Sequence, residues 1–137
     1  MTRTLWIAVA SAVPGIAILP AVVAAPVTGG GDLLQQMEKG LWQFRPIGSS
    51  SAPGVSQLCV TDPKQLAQIQ HGSSACSQLV VKSSPNSVTI SYSCRGSGQG
   101  LTTIRRETDR LIQIQSQGIR NNAPFSFSVE ARRQGSC

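Results

Sequence analysis

The chain has 137 residues, the size of one domain, with a net charge of +6 at pH 7 and only 4% aromatic residues. That excess favours encounters with anionic surfaces without making any of them specific, and so few aromatics argue against base stacking and hence against nucleic acid as a partner. Large apolar side chains are also scarce, so covalent cross-links are expected to help hold the domain together.

The first two dozen residues differ from the rest. Arg3 is the only charge before Asp32, and Leu5 to Ala25 is apolar apart from Ser11, interrupted by Pro14, Gly15 and Pro20. A basic start, an apolar run and short side chains at its end are the three regions of a secretory signal. Val22 and Ala24 place the cut after Ala24, because a cut after Ala25 would put Pro26 in the next position. The alternative is an uncleaved anchor, since about 20 apolar residues can span a bilayer. Two prolines and a glycine weaken such a helix. The expected organisation is a signal over 1–24, a flexible lead-in with a short helix over 25–39, and a disulfide-stapled β domain over 40–137. The expected location is periplasmic or secreted.

Along the mature part, Asp32 is placed to cap a helix through Lys39, with Leu33, Leu34 and Met37 on one side and Gly40 ending it. Leu41 to Arg45 reads as a strand stopped by Pro46, residues 48–56 as a polar loop, and Gln57 to Val60 as a brief strand. Thr61 or Asp62 as N-cap with Pro63 at the first helical position starts a short helix to about Gln70. Strand-like runs flank a breaker cluster at Ser83–Ser87 and give a hairpin over 76–94. Gly96 to Gly100 reads as a loop, Leu101–Arg106 and Leu111–Gln115 as a second hairpin, and residues 117–124 as another loop. From Phe125 the residues alternate, with Phe125, Phe127, Val129 and Ala131 on one face and Ser126, Ser128, Glu130 and Arg132 on the other. The fold class is therefore mainly β: an antiparallel meander forming a curved sheet or small, partly open barrel, with one or two short helices near the N-terminal side.

The four cysteines, Cys59, Cys76, Cys94 and Cys137, all follow the signal and are read as two disulfides. Three connectivities exist. Folding the 76–94 segment about Pro85 sets Cys76 opposite Cys94, within disulfide reach, although the loop type could shift the register by a residue. Cys59 then pairs with Cys137. No close Cys-x-x-Cys pair and a single histidine, His71, argue against zinc, and no other cofactor is implied.

The order of landmarks carries a resemblance. Gly40-Leu41-Trp42 precedes Cys59-Val60-Thr61, then the Cys76…Cys94 hairpin, and the chain ends Arg132-Arg133-Gln134-Gly135-Ser136-Cys137. The chain resembles small exported bacterial proteins grouped as domain of unknown function 3617, over about residues 40 to 137. The resemblance implies fold and compartment; it brings no activity and no catalytic residues. The second half departs from the Met-, Thr- and Gly-rich strands of many relatives in being rich in Arg and Gln.

Of the chemistry-bearing residues, His71 lies in the polar stretch His71-Gly72-Ser73-Ser74 and is read as a surface-loop histidine without the partners a triad needs. Gly96 to Gly100 lacks the ending of a phosphate loop. A non-enzymatic domain is expected. Trp42, Phe44, Ile112, Ile114, Phe125 and Phe127 are candidates either to line a cavity for an apolar or amphipathic ligand or to fill a plain core. Arg105, Arg106, Arg110, Arg132 and Arg133 are candidates for an anion patch that would meet lipid headgroups or an acidic partner of the envelope. Their alternative role is to keep a sheet edge charged. A monomer is expected.

Overall fold

The structure, a computed structural model, describes residues 31–137, with Gly31 and Asp32 contributing backbone only. The expected signal, its cleavage point and the Asp32 side-chain cap lie outside the described residues. No helix among the described residues is long and apolar enough to cross a membrane.

Seven strands dominate: β1 (Gly40–Pro46), β2 (Gln57–Val60), β3 (Cys76–Ser84), β4 (Ser87–Cys94), β5 (Gly98–Thr108), β6 (Leu111–Arg120) and β7 (Ala123–Gly135). They form one sheet in the order β2-β1-β7-β6-β5-β4-β3, with every neighbouring pair antiparallel. The expected meander is an open sheet, not a closed barrel, with β2 and β3 as its edges.

That order decides what covers the inner face. The chain leaves β2 at one edge and must reach β3 at the other, a distance of roughly six strand spacings, or about 29 Å. Segment 61–75 makes the crossing as two 3-10 turns, Pro63–Ala67 and Ile69–His71, and at about 2 Å per residue it is just long enough. Asp62 caps the first turn in a capping box: its carboxylate accepts from Lys64 N at 3.0 Å, while Gln65 Oε1 accepts from Asp62 N at 3.1 Å. Helix α1 (Gly31–Gln35) lies against β4 and this crossover. It is shorter than the run to Lys39 expected from the sequence. The carbonyl of Glu38 accepts from the Trp42 indole and that of Lys39 from Arg133 Nε, so tertiary partners tie the backbone between α1 and β1 to the sheet.

Between sheet and crossover the core follows the register. Val88, Ile104, Ile114 and Val129 form one row across four strands, and Ile90, Thr102, Ser116 and Phe127 the next. Leu33, Leu34, Met37, Leu66, Ala67 and Ile69 close over them. The two hydroxyls in the second row are placed for a purpose: Thr102 donates to Ala67 O at 2.7 Å and also bonds Ser116 at 2.7 Å, which docks the crossover on the sheet and satisfies a carbonyl that would otherwise be buried unpaired.

Both disulfides have the expected partners, Cys76–Cys94 and Cys59–Cys137. The hairpin register is less simple than a fold about Pro85. Ser84 pairs with Ser87, and that turn alone would set Cys76 against residue 95. A bulge between Val80 and Lys82 leaves Val81 without a partner, takes up the extra residue and brings Cys76 opposite Cys94.

Two expected loops are strand instead. β5 starts at Gly98, and β6 and β7 run on to a two-residue turn at Asn121 and Asn122, both with positive φ (50° and 63°). Asparagine tolerates that conformation, and a turn with two such residues matches the twist of the flanking strands.

Candidate functional site

A cavity of about 470 Å³ lies under β3, between the edge of the sheet and the crossover. Its apolar surface comes from Leu34 on α1, Val80 on β3 and Ile90 on β4. Leu34 and Ile90 are core residues at 5% and 1% exposure, whereas Val80 is 42% exposed, because the core stops at β4 and the inner side of β3 overhangs. The polar wall is a clasp of two amides. Gln68 Nε2 donates to Gly72 O at 3.1 Å and Ser74 O at 2.9 Å, and Gln78 Nε2 donates to Gln68 Oε1 at 2.9 Å and Lys64 O at 3.0 Å. Gln68 is buried, so its side chain is fixed, and the hydrogen bonds from Gln78 tie β3 to the crossover and set the spacing of the two walls. Asp62 and Lys64 bring one charge of each sign to the lining.

At the far end of the crossover, His71 is buried at 6% exposure, which corrects the surface-loop reading. The polar neighbours in sequence conceal that the second 3-10 turn packs the ring onto the sheet. Its Nε2 faces Ser97 O and Ile119 O, each at 3.2 Å, and so carries the hydrogen; in that tautomer Nδ1 accepts from the Tyr92 hydroxyl at 3.2 Å. The Tyr92 and Phe125 rings meet the imidazole edge-on, with centroids at 5.2 and 5.9 Å. Burial raises the Tyr92 phenol above its ordinary pKa, partly offset by a hydrogen bond with Ser116. Two glycines make room for this arrangement. A Cβ on Gly100 would lie 2.5 Å from the Tyr92 oxygen, and one on Gly118 would strike the Gln99 carbonyl. On the outer face, the backbone of these two glycines floors an open depression walled by Gln99, Leu101, Gln117 and Ser126, without a charged residue.

The six aromatic and aliphatic candidates do not line the cleft. Trp42, Phe44, Ile112, Ile114 and Phe127 are buried core, and Phe125 packs against it, stacked on Phe127 with centroids 6.1 Å apart. The inner face is filled by the crossover, which leaves them no cavity. Nor do the five arginines form a common patch. Arg105 and Arg132 lie on the outer face, where they pair with Glu107 at 2.7 Å and Glu130 at 3.2 Å. Arg106 and Arg133 turn to the inner side, Arg106 donating to Gln36 Oε1 at 2.8 Å and Arg133 meeting Glu38 at 3.2 Å. Arg110 is exposed in the β5–β6 turn. Period-two alternation puts Arg105 and Arg106 on opposite faces, which sequence clustering hides.

Gln68, Gln78 and Tyr92 were not singled out by the sequence. For Tyr92 a signal existed, since Gly100 and Gly118 within strands mark a close approach. Glutamines that close a cleft carry no local pattern.

No curated protein matches the chain. No solved structure matches it either. Residues 37–137 match the model of a family described as Protein of unknown function (DUF3617), a stretch that runs from Met37, two residues past α1, through all seven strands and both disulfides, and the chain belongs to that family.

Proposed function

We propose that this is an exported, non-enzymatic domain that holds a small amphipathic molecule, or the apolar part of a larger one, in the cleft under β3. The observation that carries the reading is a cleft in which half-exposed Val80 continues the core residues Leu34 and Ile90, bordered by the Gln68–Gln78 clasp. The volume of about 470 Å³ is within the range of small-molecule sites. Export is supported by the N-terminal sequence pattern and by two disulfides, which suit an oxidising compartment. The non-enzymatic reading is supported by His71, whose two nitrogens are engaged in hydrogen bonds inside the domain.

At about 0.8 kcal/mol per buried methylene, a six-carbon chain in the cleft gains about 5 kcal/mol, which corresponds to a Kd near the millimolar range. The test is a titration of the ¹⁵N-labelled oxidised domain with neutral alkyl glucosides of increasing chain length, each below its micelle concentration. Shifts should centre on Leu34, Gln68, Val80 and Ile90, with affinity rising about fourfold per added carbon until the cleft is full. Shifts scattered over the surface, or affinity indifferent to chain length, would overturn the proposal.

A further inference from the structure

The two edges of the sheet are unlike. β2 is four residues long, a usual way to discourage pairing with another chain. β3 is nine residues long, contains no proline and carries a single charge, Lys82. Its outer side bonds no other described strand, and it exposes Leu79, Val80 and Val81, at 67%, 42% and 52%. The bulge that aligns the cysteines falls at Val81, towards the turn, and leaves Cys76 to Val80 as a regular run. Natural edges of this length are normally blunted by charge, proline or a covering element.

The cleft lies beneath that same run. Gln78 and Val80 pair with the inward-facing Tyr92 and Ile90, so their side chains point to the cleft side. A strand added about 4.8 Å beyond β3 would present its own inward residues over the mouth of the cleft.

We infer that β3 and the cleft form one site for an extended segment of another polypeptide, which adds as an eighth strand along Cys76–Val80 and sets an apolar side chain in the cleft. Main-chain hydrogen bonds supply affinity and the cleft supplies selectivity, the division of labour in β-strand addition. The partner segment alternates apolar and polar residues. With Lys64 and Lys82 beside the site against Asp62 alone, it is neutral or acidic rather than basic. A second copy of β3 would satisfy the backbone but fill the cleft poorly, since of its inward residues Gln78 is already bonded to Lys64 O and Gln68, which leaves only Val80.

The inference rests on the proposed ligand cleft and adds the strand pairing, so the experiment separates the two. Nine-residue peptides are selected against the oxidised domain from a random phage-displayed library, and the enriched peptides are titrated alongside an octyl glucoside. The double variant Leu79→Lys/Val81→Lys charges the edge at two exposed positions, and Val80→Trp fills the cleft mouth. Enriched sequences should alternate apolar and polar residues. Their affinity should fall at least about tenfold in the lysine variant, which still takes the glucoside, and both ligands should weaken in Val80→Trp. Glucoside binding without peptide enrichment, or peptide binding indifferent to the two lysines, overturns strand addition and leaves the cleft standing. Loss of both ligands in the unaltered domain overturns both readings. A concentration-dependent dimer abolished by the two lysines, with no peptide enriched, assigns the edge to a second copy and also overturns the inference.

Discussion

Replacing His71 with leucine separates the buried reading of this residue from the surface reading. Leucine nearly conserves volume, so the cavity contribution is small and the loss is chiefly of polar contacts. The Nε2–H shared between Ser97 O and Ile119 O disappears, as does the acceptor for the Tyr92 hydroxyl. Ser97 O keeps the amide of Asn121 at 3.0 Å, and Tyr92 keeps Ser116, so neither is wholly orphaned. Two hydrogen bonds at about 1 kcal/mol each, with about 0.5–1.5 kcal/mol for the edge-on contacts to Tyr92 and Phe125, give a destabilisation of about 2–4 kcal/mol. Urea unfolding with the disulfides intact measures it. At a slope of roughly 1–1.5 kcal/mol per molar for a domain of this size, the midpoint should fall by about 2 M with the slope unchanged. A loss below about 0.5 kcal/mol, the ordinary result for a surface substitution, would refute the claim that the ring pins the crossover to the sheet.

Four further outcomes follow from the same geometry. Tyr92 is the only tyrosine in the chain, so absorbance near 295 nm titrates it alone; the midpoint should lie above 10.0 in the folded domain and return to about that value in urea. Because the folded pKa is the raised one, the native state holds this proton more tightly: the Tyr92 contribution is intact below about pH 10 and stability falls as pH rises through the unfolded and then the folded value, which urea midpoints between pH 8 and 11 will show. Gly100→Ala forces its methyl group against the Tyr92 ring and should cost about 1–3 kcal/mol in urea unfolding, whereas the same change at exposed Gly54, where the nearest atom is a flexible arginine end at 3.9 Å, should cost far less. Replacing Cys59 and Cys137 by serine opens a loop of 78 residues and should cost about 4.5 kcal/mol, against about 3 kcal/mol for the 18-residue separation of Cys76 and Cys94, with calorimetric midpoints falling in that order.

Local chemistry made much of the fold readable. The period-two alternation after Phe125, the Asp62-Pro63 start and the breaker cluster around Pro85 each act over a few residues, and all three hold in the structure. The same reasoning misjudged Gly98–Gly100 and residues 117–120, because glycine and glutamine lack the branched, apolar signature of strands; there the ladder to β4 and β7 overrides weak propensity. The arginine grouping failed for a related reason, since neighbours along a strand face opposite ways.

The sequence by itself determined the β class and the family, since alternation, turn residues and motif order are written along the chain; it pointed to the two cysteine pairs, but the bulge at Val81 that aligns Cys76 with Cys94 belongs to the fold. Which residues meet across the sheet was decided only by the tertiary structure. Placing β2 and β3 at opposite edges sends residues 61–75 across the inner face, and that one crossing buries His71, fills the space that Trp42, Phe44 and the isoleucines could otherwise have lined, and moves the open cavity to the margin under β3. The physical reason is that strand order is a property of non-local pairing. A pattern that acts over a few residues records which face a side chain takes, but not which strand lies at the edge or what covers the sheet.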